Sequence, residues 1–438
     1  MKTICAISTP YGTGGIAVIR VSGDEAIPMV NSLFVGRKSL TDVPAGSVAH
    51  GHIQRGEEVL DDVLCSVFRA PHSFTGEDTV EIACHGSLYI QREMLQWLVD
   101  KGCSIARPGE FSQRAFLNGK MDLAQAEAVA DLIAALNKEE KDLALSQLNG
   151  SVSTELASLR ERLLHFTSLI ELELDFADHE ELEFADRGEL KALAAEIEHK
   201  LAALLSSFRT GNAIRYGIPV AIVGAPNVGK STILNGLLGS DRAIVSDIQG
   251  TTRDTIEETV MIDDVLFRLI DTAGLRETKD KIENMGIARS RQAMEKAQII
   301  IYVVDNDEMI EAPLLNDERI KGTVIPVHNK ADLYDGKEGI RIIAKDGQLE
   351  PLRKAMVEAA REMLQTSSVT ISNARHYEAL SRAHSAIERV QEGLQQGLSG
   401  EILSLDLQDC LSALGEVTGQ ITNEEVLTNI FSKFCIGK

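Results

Sequence analysis

The chain has 438 residues, room for roughly three domains of 100–200 residues, and its 44% apolar and 25% charged content is that of a globular protein, not a disordered or fibrous one. No run approaches the ~18 consecutive apolar residues of a membrane span, and the N-terminus runs into Ser8-Thr9-Pro10-Tyr11-Gly12 without a secretory leader pattern. The net charge of −22 argues against a chain that coats nucleic acid through its own field, so a phosphate-rich partner needs a local basic patch or a second subunit.

Six cysteines, Cys5, Cys65, Cys84, Cys103, Cys410 and Cys435, lie far apart with no C-x-x-C pair. They read as free thiols in a reducing, cytoplasmic setting, five of them as small core residues and Cys435 as part of the terminal tail.

Residues 1–118 alternate short β-like runs with turns: Gly15-Ile16-Ala17-Val18-Ile19-Arg20-Val21, Val63-Leu64-Cys65-Ser66-Val67 and Thr79-Val80-Glu81-Ile82-Ala83-Cys84. A helical run from Leu88 to Val99 follows, which makes an α+β domain by pattern. His85 beside Cys84 is not a metal site, because two adjacent residues are not a ligand set.

Residues 119–215 are rich in Ala, Leu and Glu. Leu123, Ala126, Ala130, Ile133 and Ala134 share one helix face, and Leu156, Leu159, Leu163, Phe166 and Ile170 share another. Between residues 171 and 189 stand nine acids and one Arg, read as a solvated helix face.

Residues 216–365 alternate strands and helices, opened by Pro219-Val220-Ala221-Ile222-Val223. Residues 366–438 are helical again, with Leu380, Ala383, Ile387 and Val390 in register. The simplest arrangement is an α/β domain inserted between two halves of a helical domain.

Gly224-Ala225-Pro226-Asn227-Val228-Gly229-Lys230-Ser231 is a G-x-x-x-x-G-K-S between an apolar strand and the helix-like Thr232-Ile233-Leu234-Asn235. Its backbone N–H groups can curl around a phosphate, Lys230 adds a point charge, and Ser231 offers a hydroxyl to Mg²⁺. Leu266-Phe267-Arg268-Leu269-Ile270 ends in Asp271-Thr272-Ala273-Gly274. There an acid can hold Mg²⁺ through water, and Gly274 N–H can sense a γ-phosphate. Val324-Ile325-Pro326-Val327 leads into Asn329-Lys330-Ala331-Asp332. The Asp332 carboxylate can accept from guanine N1–H and the 2-amino group, donors that adenine lacks. With the buried-strand run Ile299–Val304 between the last two, four elements in this order predict GTP binding.

Leu275 stands where many GTPases place a water-positioning Gln, so another group must orient the water, and Glu283 is the candidate. Asn227, with Ser246-Asp247-Ile248-Gln249-Gly250-Thr251-Thr252-Arg253-Asp254, can surround a monovalent cation that replaces an arginine finger, while Thr252 completes the Mg²⁺ shell. Arg253 and Arg276 are rival charge donors.

Outside this region, Thr13-Gly14-Gly15-Ile16-Ala17-Val18-Ile19-Arg20, Ser73-Phe74-Thr75-Gly76-Glu77-Asp78, Arg107-Pro108-Gly109-Glu110-Phe111-Ser112, Lys120-Met121-Asp122-Leu123-Ala124-Gln125-Ala126-Glu127-Ala128 and Phe434-Cys435-Ile436-Gly437-Lys438 resemble the MnmE (TrmE) family of tRNA-modification GTPases, over essentially the whole chain. The resemblance implies an N-terminal folate-binding and dimerisation domain, a discontinuous all-α domain and an inserted Ras-like G domain. It also implies a homodimer, a heterotetramer with an FAD protein (GidA/MnmG), and tRNA as the substrate of the complex. The reaction it implies is addition of an aminomethyl-type group at C5 of the wobble uridine, U34, with the carbon from 5-formyl- or 5,10-methylene-tetrahydrofolate. GTP hydrolysis would be activated by K⁺-dependent pairing of two G domains.

Carried over by residue, the resemblance implies K⁺ at Asn227, Ser246, Ile248 and Thr251, Mg²⁺ at Ser231 and Thr252, and the water-orienting role at Glu283. It implies folate contacts at Arg20, Glu81, Lys120 and Lys438, and a chemical role for Cys435. Arg20 and the lysines suit the glutamate carboxylates, and Glu81 the pterin donors. The last guanine motif departs from the family: Ile343-Ala344-Lys345 replaces Ser-Ala-Lys, which keeps the Ala344 N–H for guanine O6 but loses the hydroxyl that braces the loop. The rival reading is a regulatory Era-like GTPase, such as a ribosome-assembly switch, without one-carbon chemistry.

Overall fold

The computed structural model describes residues 2–175, 187–239, 258–270, 291–305, 319–333, 339–364 and 369–437. They form two compact units. The first comprises Met1–Ile133, Gln147–Thr154 and Ser412–Lys438, the second Ala134–Ser146 and Glu155–Leu411.

The first unit is built on a seven-stranded sheet of β1 (Ile4–Ile7), β2 (Gly14–Ser22), β3 (Phe34–Gly36), β4 (Ser47–Arg55), β5 (Glu58–Phe68), β6 (Thr79–Gly86) and β7 (Ser104–Ile105), in the order β3-β4-β5-β6-β2-β1-β7. Only the β1–β7 pair is parallel. Strand alternation sorts the side chains. Ile19, Val21, Cys65, Val67, Val80 and Ile82 enter the core with Ile27, Met94 and Leu98, while Arg20, Ser66 and Glu81 stand on the other face, half-buried. A second cluster in this unit packs Leu123 and Ala126 against Leu427, Ile430 and Phe431.

The stripe expected on helix Leu123–Ala134 is buried only in its first turns. Ile133 is 49% exposed, because the packed cluster covers the N-terminal part of the helix and not its last turn.

In the second unit the other expected stripes are buried throughout: Leu156, Leu159, Leu163, Phe166 and Ile170, and Leu380, Ala383, Ile387 and Val390. Helix Arg187–Tyr216 packs along helix Ala374–Gln396. Phe208 stacks on Tyr377 with ring centroids 4.4 Å apart, and His384 Nε2 lies 3.1 Å from Glu198 Oε1.

This unit also holds a six-stranded sheet of β8 (Ile218–Gly224), β9 (Glu258–Ile262), β10 (Val265–Leu269), β11 (Ile299–Val304), β12 (Thr323–His328) and β13 (Ile340–Arg341), in the order β13-β12-β11-β8-β10-β9. All pairs are parallel except β9–β10. The central strand β8 is buried along almost its whole length, as a parallel strand covered on both faces must be. β9 was not anticipated from the sequence. It returns through Asp263 and Asp264, both in the left-handed region (φ 47° and 64°), as a tight two-residue hairpin turn requires.

Candidate functional sites

The carboxyl ends of β8, β11 and β12 lie side by side, which is where an open parallel sheet presents its ligand crevice. The loop after β8 passes into helix Lys230–Leu238, with Asn227 at φ 64° and Gly229 at φ 102°. Gly229 has no substitute: a Cβ there would lie 2.1 Å from Asn329 Nδ2. Gly224 is equally constrained, since a Cβ would lie 2.2 Å from Val303 O on β11.

Asn329, buried at the end of β12, ties the site together. Its Nδ2 donates to Val228 O at 2.8 Å, and its Oδ1 accepts from Ala344 N at 3.0 Å. The phosphate loop and the loop after β13 therefore hang on one amide. Lys330 Nζ donates to Asn227 O at 3.0 Å and pairs with Asp305 at the end of β11. Lys230 Nζ donates to Gly224 O at 2.9 Å and Ala225 O at 2.7 Å, and burial holds its pKa below the ordinary lysine value. Those carbonyls keep the ammonium charge beside the loop that would receive a phosphate.

Asp332 is exposed and pairs with Lys345, whose hydrogen bond holds the carboxyl below the usual carboxylate range. Ala344 is buried and its N–H is committed to Asn329. This bond braces the loop whose motif carries Ile343 in place of a serine. Thr232 is exposed on the first turn of the helix, next to Ser231.

Asp305 is not singled out in the sequence, and Lys345 is read there only as the last residue of the guanine motif. The signal for Asp305 was its position directly after the apolar run Ile299–Val304. Ser246, Asp247, Ile248, Gln249, Gly250, Thr251, Thr252, Asp271, Thr272, Ala273, Gly274, Glu283 and Lys438, with Arg253 and Arg276, lie outside the described residues, as do residues 176–186 of the acidic stretch.

In the first unit, Arg20 on β2 and Glu81 on β6 are direct cross-strand partners. Arg20 Nε donates to Glu81 Oε1 at 2.9 Å, and Arg20 Nη2 lies 2.8 Å from the same oxygen, so Oε2 stays outside the pair. The Arg20 guanidinium carbon is 5.3 Å from the Phe74 ring centroid and 5.6 Å from that of Phe111. Arg20 and Glu81, expected at folate carboxylates and pterin donors, form one bonded pair. Its cause is the β2–β6 register, which a one-strand reading cannot see.

Lys120 Nζ donates to Pro71 O at 2.8 Å. The tail passes close by in the same unit. Gly109 N donates to Cys435 O at 3.4 Å, Ser8 Oγ donates to Gly437 O at 3.3 Å, and the Cys435 thiol is exposed. Phe74, Phe111 and the buried Arg114 were not named as site residues in the sequence.

Among the described residues no helix is long and apolar enough to cross a membrane. Residues 3–120 match the family described as GTP-binding protein TrmE N-terminus, and residues 123–435 match the MnmE helical domain. The tRNA modification GTPase MnmE of Parabacteroides distasonis is 51% identical over 465 aligned residues, covering all of both chains. That of Bacteroides fragilis is 50% identical, covering all of this chain and 99% of its own, and that of Porphyromonas gingivalis is 47% identical, covering all of this chain and 98% of its own. The α/β unit with its phosphate loop, the β-rich N-terminal unit and relatedness along the full length agree: the chain belongs to the MnmE (TrmE) family of tRNA modification GTPases.

Proposed function

We propose that the chain is a potassium-activated GTP hydrolase working as a homodimer with an FAD-dependent partner of the GidA/MnmG type. The complex installs an aminomethyl-type group at C5 of U34 of certain tRNAs, with the carbon from a tetrahydrofolate derivative. The domains would be an N-terminal folate-binding and dimerisation domain (1–118), helical segments (119–215 and 366–438) and an inserted G domain (216–365).

The observation that carries this reading is the Arg20–Glu81 pair beside Phe74 and Phe111, in a chain that also holds a phosphate loop. A regulatory switch needs no such ion pair beside an aromatic ring. The donors fit a folate. The half-buried Phe74 ring, backed by the fully buried Phe111, suits a heteroaromatic ring system, Glu81 Oε2 can accept from its N–H groups, and the ammonium of Lys120 suits a glutamate carboxylate.

The described part of the cation sites also fits. Ser231 brings a hydroxyl to the first helical turn beside Lys230, the kind of hard oxygen donor magnesium takes, and the exposed Asn227 brings an amide for potassium. When bound, the two cations supply positive charge against the triphosphate and the folate supplies a one-carbon unit. The chain's residues do the rest. Backbone N–H groups from Asn227 to Thr232 cradle the phosphates, Lys230 turns from the Gly224 and Ala225 carbonyls to the γ-phosphate side, and Asp332 reads the guanine edge. Gly274 N–H reports the γ-phosphate, Glu283 orients the attacking water, and Lys438 joins Lys120 at the folate tail.

Titration of the purified chain with 5-formyl-tetrahydrofolate tests the reading, with saturable binding expected. Absence of binding at millimolar ligand would favour the regulatory GTPase. GTP hydrolysis should be faster in KCl than in NaCl at equal ionic strength, and equal rates would remove potassium from the scheme.

A further inference from the structure

The ring of Phe74 belongs to the loop between β5 and β6, and that of Phe111 to helix Glu110–Leu117, so nothing in either element alone brings both to Arg20. One buried cation joins them. Arg114, on the same helix three residues after Phe111, has its side chain only 6% exposed. Its Nη1 donates to both oxygens of Glu77 at 3.2 Å, and Glu77 lies three residues after Phe74. Its Nη2 donates to Glu110 Oε1 at 3.0 Å and to Lys2 O at 2.8 Å. Glu77 in turn accepts from Ser22 Oγ at 2.8 Å, at the end of the strand that carries Arg20. A second tie, from Asn118 Nδ2 to Thr75 O at 2.7 Å, holds the same helix end to the same loop.

We propose that Arg114 is a positioning residue for the folate pocket: its fork locks the Phe74 loop to the Phe111 helix and so sets both rings at the Arg20–Glu81 pair. The inference rests on the folate reading of that pocket. The chemistry favours geometry over bulk stability as the reason for this cluster. Two nearly buried carboxylates around one guanidinium gain little net stability over an apolar cluster of the same volume. What they gain is orientation: a planar fork with fixed donor directions engages Glu77, Glu110 and a carbonyl at once, which a lysine ammonium cannot reproduce. Arg114 reaches the ligand only through the Phe74 ring, which packs on the fully buried Phe111.

The test uses the full-length protein with Arg114→Lys, which keeps the charge and loses the fork. Binding of 5-formyl-tetrahydrofolate should weaken at least tenfold, while GTP affinity, read in the other unit, stays within about twofold. A purely structural role would lower the melting temperature and leave the folate affinity of the folded fraction unchanged, which overturns the proposal. Combining Arg114→Lys with Phe74→Leu should cost little more than the larger single change, and full additivity also overturns it. A ¹⁹F label on the ring at position 74 reads order without ligand. Arg114→Lys should shift or broaden its resonance, and an identical line contradicts the proposal. If the wild type itself fails to bind the folate, the pocket reading falls, and the ¹⁹F line still decides whether Arg114 positions the ring.

Discussion

Asn329 and Val228 stand 101 positions apart, yet the Asn329 amide reaches the Val228 carbonyl at 2.8 Å and so fixes the phosphate loop from the far side of the crevice. Asn329→Ala removes this donor and also the acceptor for the Ala344 N–H, leaving two buried backbone groups unpaired. Each such loss costs about 1–3 kcal/mol. GDP affinity should fall at least tenfold in a fluorescent-nucleotide titration, with the helical core intact by circular dichroism. Unchanged affinity would show that the two loops hold their places without the amide.

Gly229→Ala attacks the same junction from the other side. The added Cβ meets Asn329 Nδ2 at 2.1 Å, at a φ of 102° that L-residues rarely adopt, so the loop must move. The backbone strain alone is about 1–3 kcal/mol. Nucleotide binding should be lost while the folate-side unit keeps its ligand affinity. Wild-type GTP binding by this variant would contradict the close approach.

Much of the scaffold was legible because burial is periodic. Phe166 and its stripe, Ile387 and its stripe, and the apolar runs of β8, β11 and β12 each announce their own environment. The relations that make the sites are long-range and leave no such trace. Arg20 reads as one charge on a strand until the β2–β6 register sets it against Glu81. Arg114 lies 37 positions from Glu77, and no local pattern links them. The phosphate loop was readable because its geometry is set by adjacent residues. The bond from the Ala344 N–H to Asn329 spans 15 positions, and no local pattern announces it. β9 was missed because a five-residue edge strand is too short to separate from its surroundings by alternation.

The cysteines divide by burial. Burial pushes Cys65 and Cys410 up to about 12 and Cys84 up to about 11, and Cys5 is raised by its hydrogen bond to Cys103 and by burial. Thiolate is the reactive form, so these groups stay inert at pH 8, and Cys103 is shielded. Cys435 is exposed. Ellman's reagent should therefore titrate one thiol per native chain and six after unfolding, and Cys435→Ser should abolish the native reaction. A second fast thiol in the native protein would contradict the burial pattern.

The ion pair between Lys345 and Asp332 predicts a pH dependence of guanine recognition. The Lys345 hydrogen bond is the leading cause that holds the Asp332 carboxyl below its ordinary range, and the same bond raises Lys345. A depressed carboxylate stays ionised as the pH falls, and only the ionised form accepts both guanine donors. Lys345→Ala removes that cause, so Asp332 takes up its proton at a higher pH than in the wild type. GDP affinity at pH 8 should change less than about threefold, because an exposed ion pair carries little net energy. The acid limb of the binding curve should move to higher pH in the variant. Coincident acid limbs would show that a group other than Asp332 governs the loss of binding.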